Sequence, residues 1–370
     1  MSGVRACTRD DLPQVVRLYE QVMRSGASTP PPGLLGYFER TLFDHPWVDP
    51  EVPSLVYEDR SGIAAFIGSH VRRLVLDGAE IRMGCAGQFV SSQALQKRGG
   101  GALLLRKYLA GPQELTITDG ASMAVARMWE RLKGQTVWLA SLSWTRIFRP
   151  WAAGGALFGL QDRAAWRTLS KVAGRPAEAV LARLGGERLR APQPDTRSEE
   201  LSCGALLELL PGIARGHTLY PAYDRGYLHW LFGEVAAVTS RGELAKRLVT
   251  AADGRPLGWY VAYLPRAPGN PGEQIAQALQ VAAAPADVDA VLGHLLHHAQ
   301  VSGAAAIQGR LEPHLFHAVR QPRYLLRQTH PALVHSQRHP QAIAAVFQGR
   351  ALLSRLDGEW WMGHHLEGFR

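Results

Sequence analysis

A basic, glycine-rich segment is the part of the sequence whose residue types most clearly point to chemistry. It consists of Gln96-Lys97-Arg98-Gly99-Gly100-Gly101-Ala102. Glycines carry no side chains, so successive backbone N–H groups can converge on an oxyanion. Where such a segment opens a helix, the free N–H groups and the partial positive charge of the helix N-terminus add to the attraction, and Lys97 and Arg98 add formal charge. The segment therefore predicts a phosphate-binding loop.

The elements around this loop exclude two familiar kinds of phosphate site. No Gly-Lys-Ser or Gly-Lys-Thr follows the glycines, so the segment is not a Walker loop. It is not a dinucleotide fingerprint either, because no βαβ unit surrounds it. The strand predicted before it, at residues 81–90, belongs to an antiparallel meander with strands at 54–58 and 63–76. A helix is predicted after it, at residues 101–109, so the glycines lie between a strand and a helix N-terminus.

This arrangement resembles the GNAT (GCN5-related N-acetyltransferase) superfamily. The loop of that superfamily has the pattern Gln/Arg-x-x-Gly-x-Gly/Ala, which Gln96, Gly99 and Gly101 match at the same spacing. Two predicted helices and the three-stranded meander precede the loop, as in that fold. A strand predicted at 115–118 and a helix predicted at 123–132 follow it in the same order.

The resemblance implies a tandem architecture. It covers residues 4–148, and residues 201–370 repeat the order of helices and strands as a degenerate second copy. The expected fold class is α/β (mixed α+β): a tandem GNAT-like acyl-CoA N-acyltransferase fold in which each copy is a mixed, mostly antiparallel sheet flanked by helices. The expected domains are an N-terminal GNAT-like domain with the loop (1–150), a helical connector (151–200) and a C-terminal GNAT-like copy (201–370). The chain is similar to bacterial two-domain members, which are tied to polysaccharide and secondary-metabolite biosynthesis.

The resemblance also implies an activity and a set of binding residues. Residues 96–102, from Gln96 to Ala102 with Gly100 at the centre, would hold the pyrophosphate of acetyl-CoA or another acyl-CoA. The strand before the loop would pair its backbone with the pantetheine arm through Gln88, Phe89 and Val90. An amine or hydroxyl of a small-molecule acceptor would then attack the thioester directly, and a base would take its proton.

The sequence departs from the superfamily pattern at the helix that follows residue 122. The superfamily places a tyrosine there as the acid for the leaving thiolate, and this chain has Trp129. An indole N–H donates hydrogen bonds but is not an acid. Water or another residue would then protonate the thiolate, or the thiolate would leave unprotonated. Alternatively, this copy no longer catalyses acetyl transfer. The last alternative is a non-catalytic CoA-binding or scaffold protein.

Asp119 is a candidate for the base or for binding the acceptor, and Asp357 and Glu359 are candidates only for holding a cationic acceptor. Asp119 follows the predicted strand at 115–118 and would face the cleft; the alternative is that it caps the helix beginning near Ala121. Asp357 and Glu359 lie in the segment Leu356-Asp357-Gly358-Glu359-Trp360, which most simply predicts a hairpin turn. Asp119 is therefore the expected catalytic carboxylate.

No metal site is expected. His294, His297 and His298 share one face of a predicted helix, but no carboxylate completes the set and no His-Glu-x-x-His pattern exists. Cys85 on the third strand of the meander is expected to be a buried thiol, and His70 an ordinary strand histidine.

The composition limits the class of protein. The chain has 370 residues, of which 46% are hydrophobic and 20% charged, which is too apolar for a disordered chain. No stretch approaches the roughly 18 continuous apolar residues of a membrane helix, so no membrane insertion is expected. The N-terminus turns acidic at Asp10-Asp11, unlike a signal peptide. The three cysteines are widely spaced, which favours a reducing cytoplasm.

The charge balance suggests a polyanionic partner and leaves the donor open. The formal net charge is +9, from 41 Lys+Arg against 32 Asp+Glu. The positive charge is spread over short pairs, which argues against nucleic acid in general and favours a small phosphate-rich ligand. An acyl carrier protein docked on basic residues would suit the same loop. An aminoacyl-tRNA-dependent transferase, which also uses paired GNAT-like folds, is a further alternative.

Overall fold

The computed structural model describes residues 3–24, 29–97, 99–160, 163–267 and 274–367. The strands are β1 (Gly3–Ala6), β2 (Leu55–Asp59), β3 (Gly62–Leu76), β4 (Ala79–Ser91), β5 (Leu115–Thr118), β6 (Gln135–Thr136), β7 (Leu142–Ile147), β8 (Arg197–Glu200), β9 (Leu219–Pro221), β10 (Glu243–Thr250), β11 (Pro256–Leu264), β12 (Ile275–Ala283), β13 (Ala306–Arg310), β14 (Tyr324–Gln328) and β15 (Leu333–His335). The α-helices are α1 (Leu12–Met23), α2 (Leu34–Leu42), α3 (Gln93–Gln96), α4 (Gly100–Leu109), α5 (Met123–Arg131), α6 (Pro150–Leu157), α7 (Ala164–Gly185), α8 (Cys203–Ile213), α9 (Arg225–Ala236), α10 (Val288–Val301), α11 (Phe316–Val319), α12 (Pro340–Phe347) and α13 (Trp360–Glu367).

Within the described ranges the strands form two sheets. One has eight strands in the order β1-β2-β3-β4-β5-β15-β6, with β9 paired to β3, and the other has seven in the order β14-β7-β13-β12-β11-β10-β8. Most neighbours are antiparallel, and each sheet has one parallel pair, β4 with β5 and β12 with β13. In both halves two helices precede three antiparallel strands, and a helix then leads to the parallel strand. The expected tandem α/β fold is confirmed.

The long β3–β4 hairpin is the centre of the first sheet, and its turn is readable in the sequence. Asp77 and Gly78 both have positive φ, 49° and 88°, as a two-residue type I′ turn requires. Alternate residues of β3 then face opposite sides of the sheet. Phe66 packs in the cluster formed by α1 and α2, whereas Ala65 and Ile67 pack in the cluster formed by α4 and α5. Helices therefore cover both faces of the sheet.

Two strands cross between the halves. β7, from the first half of the chain, lies in the second sheet between β13 and β14. β15, from the second half, lies in the first sheet between β5 and β6. Residues 135–147 do not form one strand: after β6 the chain leaves the first sheet and joins the second sheet as β7. The predicted domain division at residue 150 is thus crossed in both directions.

The described residues contain neither a membrane-spanning helix nor a metal cluster. In the ranges given above, no helix combines the length and apolarity needed to cross a bilayer. Within the same ranges no three His, Cys, Asp or Glu side chains are grouped to hold a metal ion. Two α10 histidines bond hydroxyl groups: the Nδ1 of His294 lies 2.8 Å from Thr196 Oγ1, and the Nδ1 of His298 lies 2.7 Å from the Tyr260 hydroxyl.

Candidate functional site

The cleft of the first sheet opens where β4 and β5 part. The two strands are paired in parallel only from Met83 with Leu115 to Cys85 with Ile117. Beyond that point β5 ends, while β4 continues to Ser91 with β3 as its neighbour on one side. The register with β3 shifts between Phe66 and Gly68, and Gln88 opposite this shift has a φ of 46°. Such a bulge bends the strand, so the end of β4 turns away from β5.

A cavity of about 710 Å³ fills this opening. It is lined by residues from the end of β4, the start of α4, helix α5, helix α1 and helix α13, among them Gln88, Phe89, Val90, Gln96, Gly99, Gly101, Ala102, Trp129, Tyr19, Glu359, Trp360 and His364. We call this cavity the β4–β5 cleft. It brings together most of the residues predicted to bind a donor, although they are spread over three elements.

The predicted phosphate loop is held in place by its own backbone and by Gln96. The side-chain amide of Gln96 donates to the Ser91 carbonyl at 2.8 Å, which ties the loop back to β4. The Gly99 N–H donates to the Gln96 carbonyl at 3.1 Å, and the first bond of the following helix runs from the Ala102 N–H to the Gly99 carbonyl at 3.1 Å. The N–H groups of Gly100 and Gly101 therefore belong to the first turn of α4, where a helix has no internal acceptors.

The three glycines of the loop differ in the space that a side chain would have. Gly99 has a φ of 71°, and a Cβ there would meet nothing within 4 Å. A Cβ on Gly100 would stand 2.3 Å from the Leu95 side chain, and one on Gly101 would stand 3.5 Å from the Phe89 ring. Lys97 is exposed and does not appear in the cleft wall. The predicted binding residue Arg98 lies outside the described residues.

Asp119 contacts the C-terminal helix rather than the cleft. Its Oδ1 accepts the backbone N–H groups of Glu359 at 2.9 Å and Trp360 at 3.0 Å, at the N-terminus of α13. Its Oδ2 accepts from Arg310 Nη1 at 3.2 Å, and both side chains are buried. Asp119 does not cap α5 either, because the N-cap of that helix is Ser122, whose Oγ accepts from the Val125 N–H. The carboxylate of Asp119 is thus fully engaged in positioning α13.

Glu359 and Glu367 both line the β4–β5 cleft, and Glu359 is the one that contacts the end of β5. Its Oε1 accepts from the Thr118 hydroxyl and from the Gly120 N–H, the latter at 3.2 Å. Its Oε2 lies over β4, 2.8 Å from the position that a Cβ on Gly87 would take. Burial, followed by the negative charge of Asp119, raises the pKa of Glu359 to about 8. A carboxyl group with this pKa can exchange a proton near neutral pH.

The sequence predicted a hairpin turn for the segment that carries Glu359, and that prediction is wrong. Asp357 accepts from the Ser354 N–H and hydroxyl, both at 2.7 Å, and the chain then enters α13. No local pattern marks Glu359, because its contacts with Thr118 and Gly120 span about 240 positions of the chain. The residue that fixes the position of Glu359 is Asp119, which lies 240 positions earlier in the sequence.

Trp129 and Tyr19 supply the aromatic walls of the cleft. Trp129 is 1% exposed and packs with Ala121, Ala126 and other apolar residues of α4 and α5. Its position in a packed core gives it the role of an apolar wall. Tyr19 of α1 adds a phenol, and burial, together with the charge of Glu359, raises its pKa to about 12.

His70 on β3 and Cys85 on β4 lie outside the cleft wall. His70 is fully buried, with Nε2 2.8 Å from Gln88 Oε1 and Nδ1 3.3 Å from the Thr41 carbonyl oxygen. Burial lowers the pKa of His70 to about 4, so its ring is neutral and supports the bulge at Gln88. Burial also raises the pKa of the Cys85 thiol well above its usual range. Neither group is poised for proton transfer or nucleophilic attack at neutral pH.

Comparisons with known proteins give a fold and no sequence relative. No protein-family model matches the chain, and no curated protein matches it in sequence. Among solved structures, a GCN5-related N-acetyltransferase from Anabaena variabilis aligns with a TM-score of 0.58 at 9% identity, over 90% of this chain and 72% of that one. A GCN5-related N-acetyltransferase from Kribbella flavida aligns with a TM-score of 0.54 at 14% identity, over 93% and 74%.

A eukaryotic structure shows the same similarity. The N-myristoyltransferase of Saccharomyces cerevisiae with bound myristoyl-CoA aligns with a TM-score of 0.52 at 9% identity, over 90% of this chain and 82% of that one. Identities this low establish the fold alone. The chain has the fold of the GCN5-related N-acetyltransferases, and it shares that fold across nearly its whole length.

Proposed function

We propose that the protein transfers an acyl group from acyl-CoA to an amine or hydroxyl of a small-molecule acceptor. One observation carries this proposal: a single cleft of about 710 Å³ holds the N-terminus of α4, the free edge of β4 and the carboxyl group of Glu359. The three features are what a thioester donor and a proton-releasing acceptor require. The solved structures of the same fold add support, since two are named N-acetyltransferases and one holds myristoyl-CoA.

The donor would lie along the end of β4 and reach the N-terminus of α4. The N–H groups of Gly100 and Gly101 and the helix dipole suit a pyrophosphate, and Lys97 adds a nearby positive charge. The backbone of residues 88–90 lies on the side of β4 where β5 has ended, so its polar groups can pair with the amides of a pantetheine arm. These residues fit CoA by shape and by charge.

Glu359 is our candidate for the base, in place of Asp119. The acceptor nitrogen or oxygen attacks the thioester carbon, a C–N or C–O bond forms, the C–S bond breaks, and CoA leaves as the thiolate. The proton lost by the acceptor passes to the Glu359 carboxylate and from there to water, which also protonates the thiolate. Asp119 acts through Glu359, because it fixes the N-terminus of α13 on which Glu359 stands. Much of the rate would come from holding the two reactants together.

The parts of the donor that the cleft binds distinguish CoA from an acyl carrier protein. A phosphopantetheine arm on an acyl carrier protein would use the same edge of β4 but would lack the adenosine and its phosphates. Comparing acetyl-CoA, acetyl-pantetheine and an acetylated carrier protein therefore separates the two donors. We expect acetyl-CoA to be preferred, since α4 presents its N-terminus to the pyrophosphate.

Release of free thiol from acyl-CoA tests the function. The protein is incubated with acetyl-CoA or octanoyl-CoA and a panel of amines and alcohols, and thiol is followed colorimetrically. We expect acceptor-dependent release that is lost in a Glu359→Gln variant. Donor binding without release for any acceptor would instead support a non-catalytic CoA-binding protein, and absence of donor binding would refute the proposal.

A further inference from the structure

A second cavity of about 430 Å³ lies at the end of β5. We call it the inter-sheet pocket. Its lining comes from β5, β15 and the segment after β6 in the first sheet, and from the end of β13 and helix α12, and includes Ile117, Val137, Leu139, Ala140, Leu311, Leu333, Val334, Val346 and Leu353. Only Thr118 lines both this pocket and the cleft. Cavities of this size and apolar character commonly hold small molecules.

The rim of the inter-sheet pocket carries exposed aromatic side chains. Trp138 is 63% exposed, Phe347 is 47% exposed and Phe316 is 40% exposed, and all three line the pocket. They come from three separate segments of the chain, so their convergence is a feature of the fold rather than of one helix face. Clustered exposed aromatics around an apolar cavity mark a binding site more often than an accident of packing.

The floor of the pocket is polar and has hydrogen-bonding capacity that the protein does not use. Arg310 donates from Nη1 to Asp119 at 3.2 Å and from Nη2 to the Leu353 carbonyl at 2.8 Å. Its Nε, and the Oε2 of the neighbouring Glu312, are buried without a hydrogen-bond partner among the described residues. Both side chains are at least nine-tenths buried. Buried polar atoms left unpaired cost stability, and a ligand that pairs with them recovers it.

The groups around Glu312 decide which head group the floor accepts. Burial raises the pKa of Glu312 to about 8, so the carboxyl group is mostly protonated at pH 7 and donates. His314, 3.7 Å away, has its pKa lowered to about 4 by burial and is neutral. Arg310 is balanced by Asp119, and Arg355 and Asp357 face Glu312 from the segment before α13. The floor therefore offers donors to an acceptor group.

We propose that the inter-sheet pocket binds a small aliphatic carboxylate, with its chain between the apolar walls and its carboxylate on Arg310 and Glu312. The walls exclude a highly charged ligand, and the donors of the floor disfavour an ammonium head. The ligand binds beside the β4–β5 cleft and not in it. This site does not depend on the acyltransferase proposal, because it shares only Thr118 with the cleft.

Calorimetric titration with decanoate tests the site, with decylamine as the matched probe of opposite head group. We expect saturable decanoate binding and at least tenfold weaker binding of decylamine. Ala140→Trp, which fills the pocket from a partly exposed position, should weaken decanoate at least tenfold. The matched control is Val172→Trp on α7, where Val172 is 77% exposed and outside both cavities, and it should leave binding unchanged. Phe347→Ala at the exposed rim gives a second test if Ala140→Trp fails to fold.

Two further measurements identify the place of binding. Decanoate should bind equally well with acetyl-CoA present at saturation, because the two cavities are separate. Its affinity should fall between pH 7 and pH 9, since Glu312 loses its proton over that range and then repels the ligand carboxylate, whereas Glu312→Gln should show no such fall. Competition with acetyl-CoA, equal binding by Ala140→Trp, or no saturable binding would each overturn the proposal.

Discussion

Glu359 is the residue on which the chemistry of the cleft depends. It immediately precedes α13 and meets Thr118 and Gly120 at the end of β5. Because burial and Asp119 both disfavour its charged form, its pKa of about 8 suits it to accept a proton near neutral pH. In the proposed mechanism, the first half of the sequence supplies the donor site and the second half supplies the base.

Replacing Glu359 by Gln tests this role. The variant keeps the size of the side chain and its ability to accept a hydrogen bond, so we expect acetyl-CoA affinity to stay within about twofold. Turnover should fall by about 10²- to 10⁴-fold, the usual contribution of a general base. Glu243→Gln, at an exposed position outside the cleft, serves as the control. Unchanged turnover in Glu359→Gln would show that another group takes the proton.

The pH profile gives an independent check on Glu359. A base must be deprotonated to act, so turnover should rise with pH through about 8 and then level off, and Glu359→Gln should lack this limb. The same raised pKa means that the folded protein binds this proton more tightly than the unfolded chain does. The free energy of unfolding should therefore fall as the pH rises from about 5 through 8, and less steeply in the variant. A rise in turnover that is complete below pH 6 would contradict the assignment of Glu359 as the base.

Asp119→Asn separates a positioning residue from a catalytic one. The change leaves Arg310 buried without its anionic partner, and breaking a buried pair in this way costs about 3–5 kcal/mol. We expect a clear drop in melting temperature and a moderate loss of turnover that follows the displacement of α13. Asp10→Asn, on an exposed residue, is the control. A large loss of turnover at unchanged stability, with the pH limb removed, would make Asp119 the base instead.

At the scale of elements, the strand–loop–helix unit from β4 to α4 determines where a donor binds. The bulge at Gln88 turns β4 away from β5, and the positive φ of Gly99 turns the chain into α4. The second copy lacks this unit. Its helix α10 begins after Asp287, which pairs with Arg255 at 3.0 Å. A carboxylate at that helix N-terminus disfavours a pyrophosphate, so we propose the first copy as the CoA site.

Gly99→Ala tests the loop at this scale. A side chain at this φ costs about 1–2 kcal/mol, so the loop should relax and move the first turn of α4. We expect acetyl-CoA to bind at least fivefold more weakly, measured by its effect on melting temperature. Gly233→Ala on the exposed face of α9, where a Cβ meets nothing within 4 Å, should bind like the parent. Parent-like affinity in Gly99→Ala would show that the loop does not depend on this backbone conformation.

Local patterns predicted much of the fold and the position of the loop that lines part of the candidate site. The Asp77-Gly78 turn, the strand at Leu115–Thr118 and the glycines before α4 each carry a signal within a few residues, and each lies where the sequence placed it. The exchange of β7 and β15, and the approach of Glu359 to Thr118, depend on residues about 160 to 240 positions apart. No short-range periodicity encodes such contacts. The sequence therefore predicts Asp119 as the catalytic carboxylate, whereas the carboxyl group that lies in the cleft and contacts the end of β5 is that of Glu359.

At the scale of the whole molecule, the exchanged strands join the two sheets into one folding unit. Without β15, the edge of β5 would be unpaired and the apolar residues Leu333 and Val334 would leave their clusters. An unpaired buried edge is also prone to aggregation. The two copies of the fold are therefore not independent modules, although each contains its own sheet.

Truncation tests this interdependence. A chain of residues 1–150 lacks β15 and carries β7 without its partners, so we expect it to aggregate or to show no cooperative unfolding transition by circular dichroism. Co-expression with residues 151–370 should restore a soluble complex, because the missing strands return. A soluble, cooperatively unfolding 1–150 fragment would show that the strand exchange does not hold the molecule together.

The most direct test of the account is calorimetric titration of acetyl-CoA into the parent protein and into Gly101→Glu. Gly101 lines the cleft in the first turn of α4, so the new carboxylate stands where the pyrophosphate should bind. We predict one site per chain in the parent and at least 100-fold weaker binding in Gly101→Glu, with Gly233→Glu on α9 binding like the parent. Equal affinity in the parent and Gly101→Glu, or no binding to the parent, would contradict the account.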